Sequence, residues 1–176
     1  MDFKKRIWDI TFGILILLLL AYRLPGWLED WRKEGQIAHQ IQVLNLEEEP
    51  FTPQTLPLDS QNSAQLLIFW ATWCGPCKVE LERINRLIES HKIPAERVLA
   101  ISSYEDPQLV LKTAQERKYL FPVFADPQGD AAKIYKVKAT PSLVLLSQKG
   151  VMEWVTSGLS PSLELRLMNA FDHKEE

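Results

Sequence analysis

Residues 66–71 read Leu-Leu-Ile-Phe-Trp-Ala, an apolar run with no polar alternation. A run of that length suits a strand buried on both faces, as in the middle of a sheet covered by helices. Two residues on stands Trp73-Cys74-Gly75-Pro76-Cys77, and apolar positions then recur at helical spacing through Leu81, Ile84 and Ile88. A cysteine pair at the exit of a buried strand and the entry of a helix constrains this chain more than any other feature. Cys74 precedes the helix, where unpaired backbone N–H groups and the helix dipole favour a thiolate. Pro76 suits the first turn, where its missing N–H costs nothing. Cys77 lies one turn in, close enough to close a small ring with Cys74. Such a ring encloses too short a loop to stabilise much, so the pair suits exchange better than architecture. The competing reading is a static disulfide in an exported protein, but a staple would normally join distant segments.

Around this centre the pattern alternates strand and helix. Strands are expected at 41–46, 66–71, 98–101 and 122–125, with 51–58 an irregular edge strand because it carries three prolines. Helices are expected at 75–91, at 130–135, and from Asp106-Pro107 to about residue 119, where the aspartate is an N-cap and the proline takes the first helical position. Residues 142–147 and 151–156, joined through Gln148-Lys149-Gly150, predict a hairpin. Ser160-Pro161 opens a last helix to about residue 171 by the same capping logic. The acids at 47–49 read as a solvated turn between the two early strands. Strands alternating with helices and closed by a hairpin and a helix predict an α/β fold with a mixed sheet.

The first forty residues read as a membrane address. Lys4, Lys5 and Arg6 precede a stretch that is apolar from Ile10 to Tyr22 apart from Thr11 and Gly13. A span needs about 17–25 residues, which the run approaches when Ile7, Trp8 and Leu24 are taken as interfacial ends. Trp8, Tyr22, Trp27 and Trp31 suit aromatic anchors. A cleaved signal would end in small residues, yet this run exits through Ala21-Tyr22-Arg23-Leu24-Pro25, which favours an uncleaved anchor. The expected organisation is therefore a cytoplasmic start and single transmembrane helix at 1–24, a juxtamembrane spacer at 25–40 and a domain at 41–176. The basic start keeps the N-terminus in the cytoplasm and places the domain on the periplasmic or extracellular side.

Composition narrows the chemistry. Of 176 residues, 46% are hydrophobic and 24% charged, which suits a globular domain rather than a disordered or disulfide-stapled one. The net charge of -3 offers no basic field for nucleic acid. Two cysteines cannot fill a four-ligand zinc site, and His39, His91 and His173 have no ligand spacing to one another or to the pair, so no metal is expected.

Residues 69–78, Phe-Trp-Ala-Thr-Trp-Cys-Gly-Pro-Cys-Lys, resemble the active-site segment of the thioredoxin superfamily. Residues 138–146, Lys-Ala-Thr-Pro-Ser-Leu-Val-Leu-Leu, followed by Gly150, resemble its cis-proline strand. Together with the anchor and the 121–126 segment they make the chain similar to membrane-tethered TlpA-like reductases, including those of cytochrome c maturation. The resemblance implies a thioredoxin-like sheet flanked by helices, with an N-terminal strand extension and no cofactor. With the geometry, it implies Cys74 as attacking thiolate and Cys77 as resolving thiol. It also implies a substrate-binding surface of Trp73, Gly75, Pro76 and Thr140, with Pro141 catalytic through a cis peptide; the alternative is a trans proline that opens the strand at 142–147. Lys78 is either an aid to the Cys74 thiolate or a solvated helix lysine. The implied partners are a disulfide-bearing exported protein, such as apocytochrome c, and a transmembrane thiol electron donor. One departure matters: the buried aspartate of cytosolic thioredoxin is matched by Ile68.

Gly75-Pro76 is the dipeptide of the strongly reducing thioredoxin, which favours a reductase. The alternatives are an oxidase or isomerase on the same fold, or a tethered binding module with a redox-silent pair. A peroxidase of the peroxiredoxin type would need a threonine where Ala71 stands.

Glu80 completes the candidate site. At about 100° per residue it projects between Ile84 and Leu87, inside the apolar arc, one turn from Cys77. There it could exchange protons with the buried thiol, as the glutamate of several TlpA-like proteins at this position implies. The alternative is a partly exposed helix end from which Glu80 reaches solvent.

Overall fold

The computed structural model of the chain describes residues 3–47, 49–57 and 63–172. The apolar run forms β3 (Gln65–Trp70), buried at every position. It pairs in parallel with β4 (Val98–Ser103) and antiparallel with β6 (Ser142–Leu146). Beyond β4 lies β5 (Val123–Asp126), also parallel, and then β1 (Ile41–Asn45) and β2 (Thr52–Leu56), each antiparallel to its neighbour. On the other side β7 (Met152–Ser157) closes the hairpin with β6. The order across the sheet is β2-β1-β5-β4-β3-β6-β7. The chain is thus an α/β protein with a mixed seven-stranded sheet and an N-terminal extension of two strands. Pro53 sits in β2, an outer strand, where a missing donor is tolerated.

Alternate residues of β3 feed two hydrophobic layers. Leu66, Ile68 and Trp70 pack with residues of α2 (Gly75–Glu89), α3 (Pro107–Glu116) and α5 (Leu163–Asp172). Leu67 and Phe69 face a second cluster that includes Ala131 of α4 (Asp130–Ile134) together with Tyr135 and Met152. Burying a large apolar side chain contributes about 1.5–3 kcal/mol, and fully buried Trp70, Phe69, Leu67 and Ile68 concentrate that gain in the strand that leads to the cysteines.

Three helix boundaries differ from expectation by two residues or more. α2 stops at Glu89 rather than at 91, because Ser90 caps it and His91 turns into the left-handed region at φ 55°. α3 stops at Glu116, because Arg117 caps it and Lys118 turns into the left-handed region at φ 53°. Tyr119 then packs edge-on against Trp70, with ring centroids 5.8 Å apart. α5 begins at Leu163 rather than at Pro161, because the Ser160 backbone is held by other partners. A short 3-10 turn, Ala95–Arg97, was not expected. Glu48 of the acidic turn and residue 58 of the expected edge strand lie outside the described residues.

The N-terminal forty residues need a correction. They form a 31-residue helix, α1 (Phe3–Lys33), yet among the described residues no helix is long and apolar enough to cross a membrane. Asp9, Thr11 and Gly13 interrupt the apolar run at one end and Arg23 at the other, leaving it short of the roughly 20 residues that a span requires. Trp8, Phe12, Leu17 and Trp31 are exposed. The residues after α1 strap the outer edge of β7: Gly35 N–H donates to Met152 O, Met152 N–H to Gln36 O and Ala38 N–H to Gly150 O, each at 2.8 Å. The Glu34 carboxylate accepts the Val155 N–H at 3.3 Å, and Lys33 Nζ donates to Lys136 O at 3.5 Å.

Candidate active site

β3 delivers the chain into a turn in which the Cys74 N–H donates to Ala71 O at 3.1 Å. Cys74 is the N-cap of α2 in extended conformation, and its Sγ accepts the Cys77 N–H at 3.1 Å. A free N–H of the first helical turn therefore points at the sulfur that precedes the helix, an arrangement that favours a thiolate whenever the pair is open. Cys74 and Cys77 form a disulfide, with Cα atoms 5.2 Å apart. Both side chains are buried, whereas Gly75 and Pro76 are exposed and Trp73 is 78% exposed.

The antiparallel pairing of Phe69 with Ser142 brings the start of β6 beside the end of β3. The peptide Thr140-Pro141 is cis, and the Thr140 carbonyl oxygen lies 3.5 Å from Cys74 Sγ. Pro141 is buried, and its carbonyl accepts the Gly158 N–H at 2.7 Å, which brings the loop after β7 to the same edge. Leu159 in that loop is 52% exposed. Trp73, the disulfide, Thr140, Pro141 and Gly158 are thus gathered at one end of the sheet.

Glu80 is fully buried on the face of α2 that carries Cys77, Leu81 and Ile84. It does not reach solvent, and it is not alone in apolar surroundings. Arg83 Nη1 pairs with its Oε2 at 2.9 Å, and the Ser160 N–H donates to its Oε1 at 3.0 Å. The same Arg83 nitrogen donates to Ser160 O at 2.8 Å. The carboxylate is therefore tied to the loop that ends beside Pro141. Lys78 extends along the exposed side of α2, 3.9 Å from Glu82. Ile68 is completely buried. Among the described residues no group of three or more His, Cys, Asp or Glu side chains is placed to hold a metal ion.

Four polar residues around the turn were missed by sequence reasoning. Glu105 accepts the Thr72 N–H at 2.9 Å and also the Thr72 and Ser102 hydroxyls. Arg117 Nη2 donates to Thr72 O at 3.0 Å. These partners lie about 30 to 45 positions from Thr72, and no local pattern connects them.

The match to known proteins follows the same outline. The model of the AhpC/TSA family matches residues 34–155. A thioredoxin-like protein of Haemophilus influenzae is 32% identical, over 92% of this chain and 89% of its own. Sporulation thiol-disulfide oxidoreductase A of Bacillus subtilis is 24% identical, over 89% of this chain and 93% of its own. The crystal structure of StoA from Bacillus subtilis superposes with a TM-score of 0.60 at 22% identity, over 77% of this chain and 98% of that one.

Proposed function

The chain belongs to the AhpC/TSA family and is a thioredoxin-like thiol-disulfide oxidoreductase with a Cys74–Cys77 pair; from that premise we propose that it reduces disulfides in exported proteins at the outer face of the cytoplasmic membrane. The observation that carries this reading is the sulfur of Cys74, which accepts the Cys77 N–H and has the Thr140 carbonyl beside it, next to exposed Trp73. In the reduced protein the Cys74 thiolate attacks one sulfur of the substrate disulfide. A Cys74–substrate bond forms, and the other substrate sulfur leaves as a thiolate that takes up a proton. Cys77 then loses its proton and attacks Cys74 Sγ, which closes the Cys74–Cys77 bond and releases the second substrate thiol. Two electrons pass to the substrate, and a thiol pair on the membrane donor returns them by the reverse exchange. The carbonyl of Thr140 and exposed Trp73 give a substrate segment a polar and an apolar contact beside the bond being exchanged.

Ala71 stands where a peroxiredoxin-type site would carry its threonine, which speaks against a peroxidase. Gly75-Pro76 speaks for a reducing couple. In this reading α1 tethers the domain by its exposed apolar side chains. Apocytochrome c is the substrate that the sequence resemblance implies. The test is a Cys77→Ser variant in cells, which should leave substrates disulfide-linked to Cys74 and recoverable from the membrane fraction. The purified couple should lie nearer about -270 mV than about -120 mV. A potential at the oxidising end, or trapped partners confined to the cytoplasm, would overturn the reading.

A further inference from the structure

Every backbone and side-chain polar group of Thr72 is engaged across the fold. Its N–H and hydroxyl donate to the two oxygens of Glu105, and its carbonyl accepts from Arg117. The Ser102 hydroxyl donates to the same Glu105 Oε2 that takes the Thr72 N–H. Two pieces of structure therefore hold Thr72, the loop into α3 and the C-cap of α3, and the end of β4 steadies the first through Ser102. Thr72 stands one residue ahead of Trp73 and two ahead of Cys74.

The backbone beside Glu105 is shaped for this contact. Tyr104 has φ 62°, a left-handed conformation that a residue with a Cβ rarely adopts. It is kept there by its N–H, which donates to Asp126 O at 3.0 Å. Its ring covers Gly129, where any Cβ would collide with it. The chain thus turns sharply at the end of β4, and the carboxylate of the next residue meets Thr72. Trp73 is so exposed that little packing fixes it, and its placement is inherited from the backbone at Thr72.

We propose that Glu105 is a positioning residue that fixes the Thr72–Trp73 turn and so sets how Trp73 and Cys74 meet a folded protein partner. The inference rests on the reading of a protein as substrate. The contacts to the Cys74 sulfur come from Cys77 N–H and Thr140 O, neither of which Glu105 touches. A small disulfide needs those contacts alone. A protein that must dock on Trp73 and along Thr140-Pro141 at once also needs the turn preset, since preorganised contacts lower the cost of association.

The test compares Glu105→Ala and Glu105→Gln with the parent, using oxidised glutathione as the small disulfide and insulin as the protein one. In Glu105→Ala the Thr72 amide should exchange its hydrogen at least about tenfold faster, while amides within β3 and β4 are unchanged. KM for insulin should rise about tenfold, with kcat and the glutathione rate within about twofold of the parent. Glu105→Gln, whose amide oxygen still accepts the Thr72 N–H, should fall between them, and it carries the same readings if the alanine variant does not fold. Equal losses with both disulfides, or no change with either, would overturn the proposal. If the parent turns over glutathione but not insulin, the protein-substrate reading is what fails. The positioning role then stands or falls on the Thr72 amide, and unchanged exchange ends it.

Discussion

Arg83 is the residue on which the buried charge of α2 depends. Glu80 has no exposed surface, and its two oxygens are satisfied by the Arg83 guanidinium and the Ser160 N–H. Replacing Arg83 by Leu would strand a carboxylate with one neutral donor. Breaking a buried pair from one side costs about 3–5 kcal/mol, and the partly exposed Arg83 puts this case at the lower end, about 3 kcal/mol. Urea denaturation at neutral pH should show that loss, and the double variant Arg83→Leu, Glu80→Gln should recover most of it because no charge remains buried. A double variant as unstable as the single one would refute the account. The burial of Glu80 was legible, since its position between Ile84 and Leu87 follows from helical periodicity. Its partners were not. Arg83 falls outside the apolar arc, and Ser160 arrives from a distant loop, so the carboxylate's pairing is a property of the assembled fold.

At the level of elements, α4 is too short to hold itself, and Tyr135 at its end supplies the anchorage. The phenol donates to His39 O at 2.8 Å, just ahead of β1, and the ring packs on Phe69 at 5.4 Å. Burial pushes the Tyr135 hydroxyl well above its ordinary value near 10, because ionising it there would strip a charge of water. The backbone hydrogen bond opposes that shift without cancelling it. A group whose folded value is raised contributes stability that is complete below the unfolded value, about 10, and is lost as pH rises through the folded one. Tyr135→Phe should therefore cost about 1 kcal/mol at neutral pH, the worth of the hydrogen bond. It should also flatten the fall in stability as pH rises above about 10. Parallel alkaline curves for variant and parent would count against this. Such elements were readable where one strong local signal decides them. The five apolar residues of β3, the Asp106-Pro107 start of α3 and the turn at Gly150 each carry their reason within a few positions. The early stop of α3 and the late start of α5 do not, because the left-handed Lys118 and the contacts to Ser160 come from tertiary packing.

Across the whole molecule, the sheet has two outer strands that are treated differently. β2 carries Pro53 as its second residue, whereas β7 is covered by the strap at 34–38. An uncovered edge is a template for pairing with another chain. A chain beginning at Glu34 should therefore stay monomeric in sedimentation, while one beginning at Ile41, with Met152 N–H and Gly150 O released, should self-associate. Monomers in both cases would show that the strap is not what protects the edge. This strap was invisible in the sequence, where residues 25–40 read as a polar spacer with a few scattered apolar side chains. Backbone hydrogen bonds leave no mark on side-chain pattern.

The strap also decides how far Cys74 can travel. A loose linker of a dozen residues would let the site sweep a wide volume around its point of attachment. Here the backbone is hydrogen-bonded to β7 from Gly35 onward, directly after α1 ends at Lys33. The domain is mounted on its helix as on a bracket. Under the proposed function, with α1 seated in the membrane surface, the disulfide would keep to a shell about one domain diameter deep, and partners would have to reach it by drifting in the same plane. The turnover of such an enzyme answers to how many partners share each unit of area, and hardly to how many are dissolved in the volume beyond.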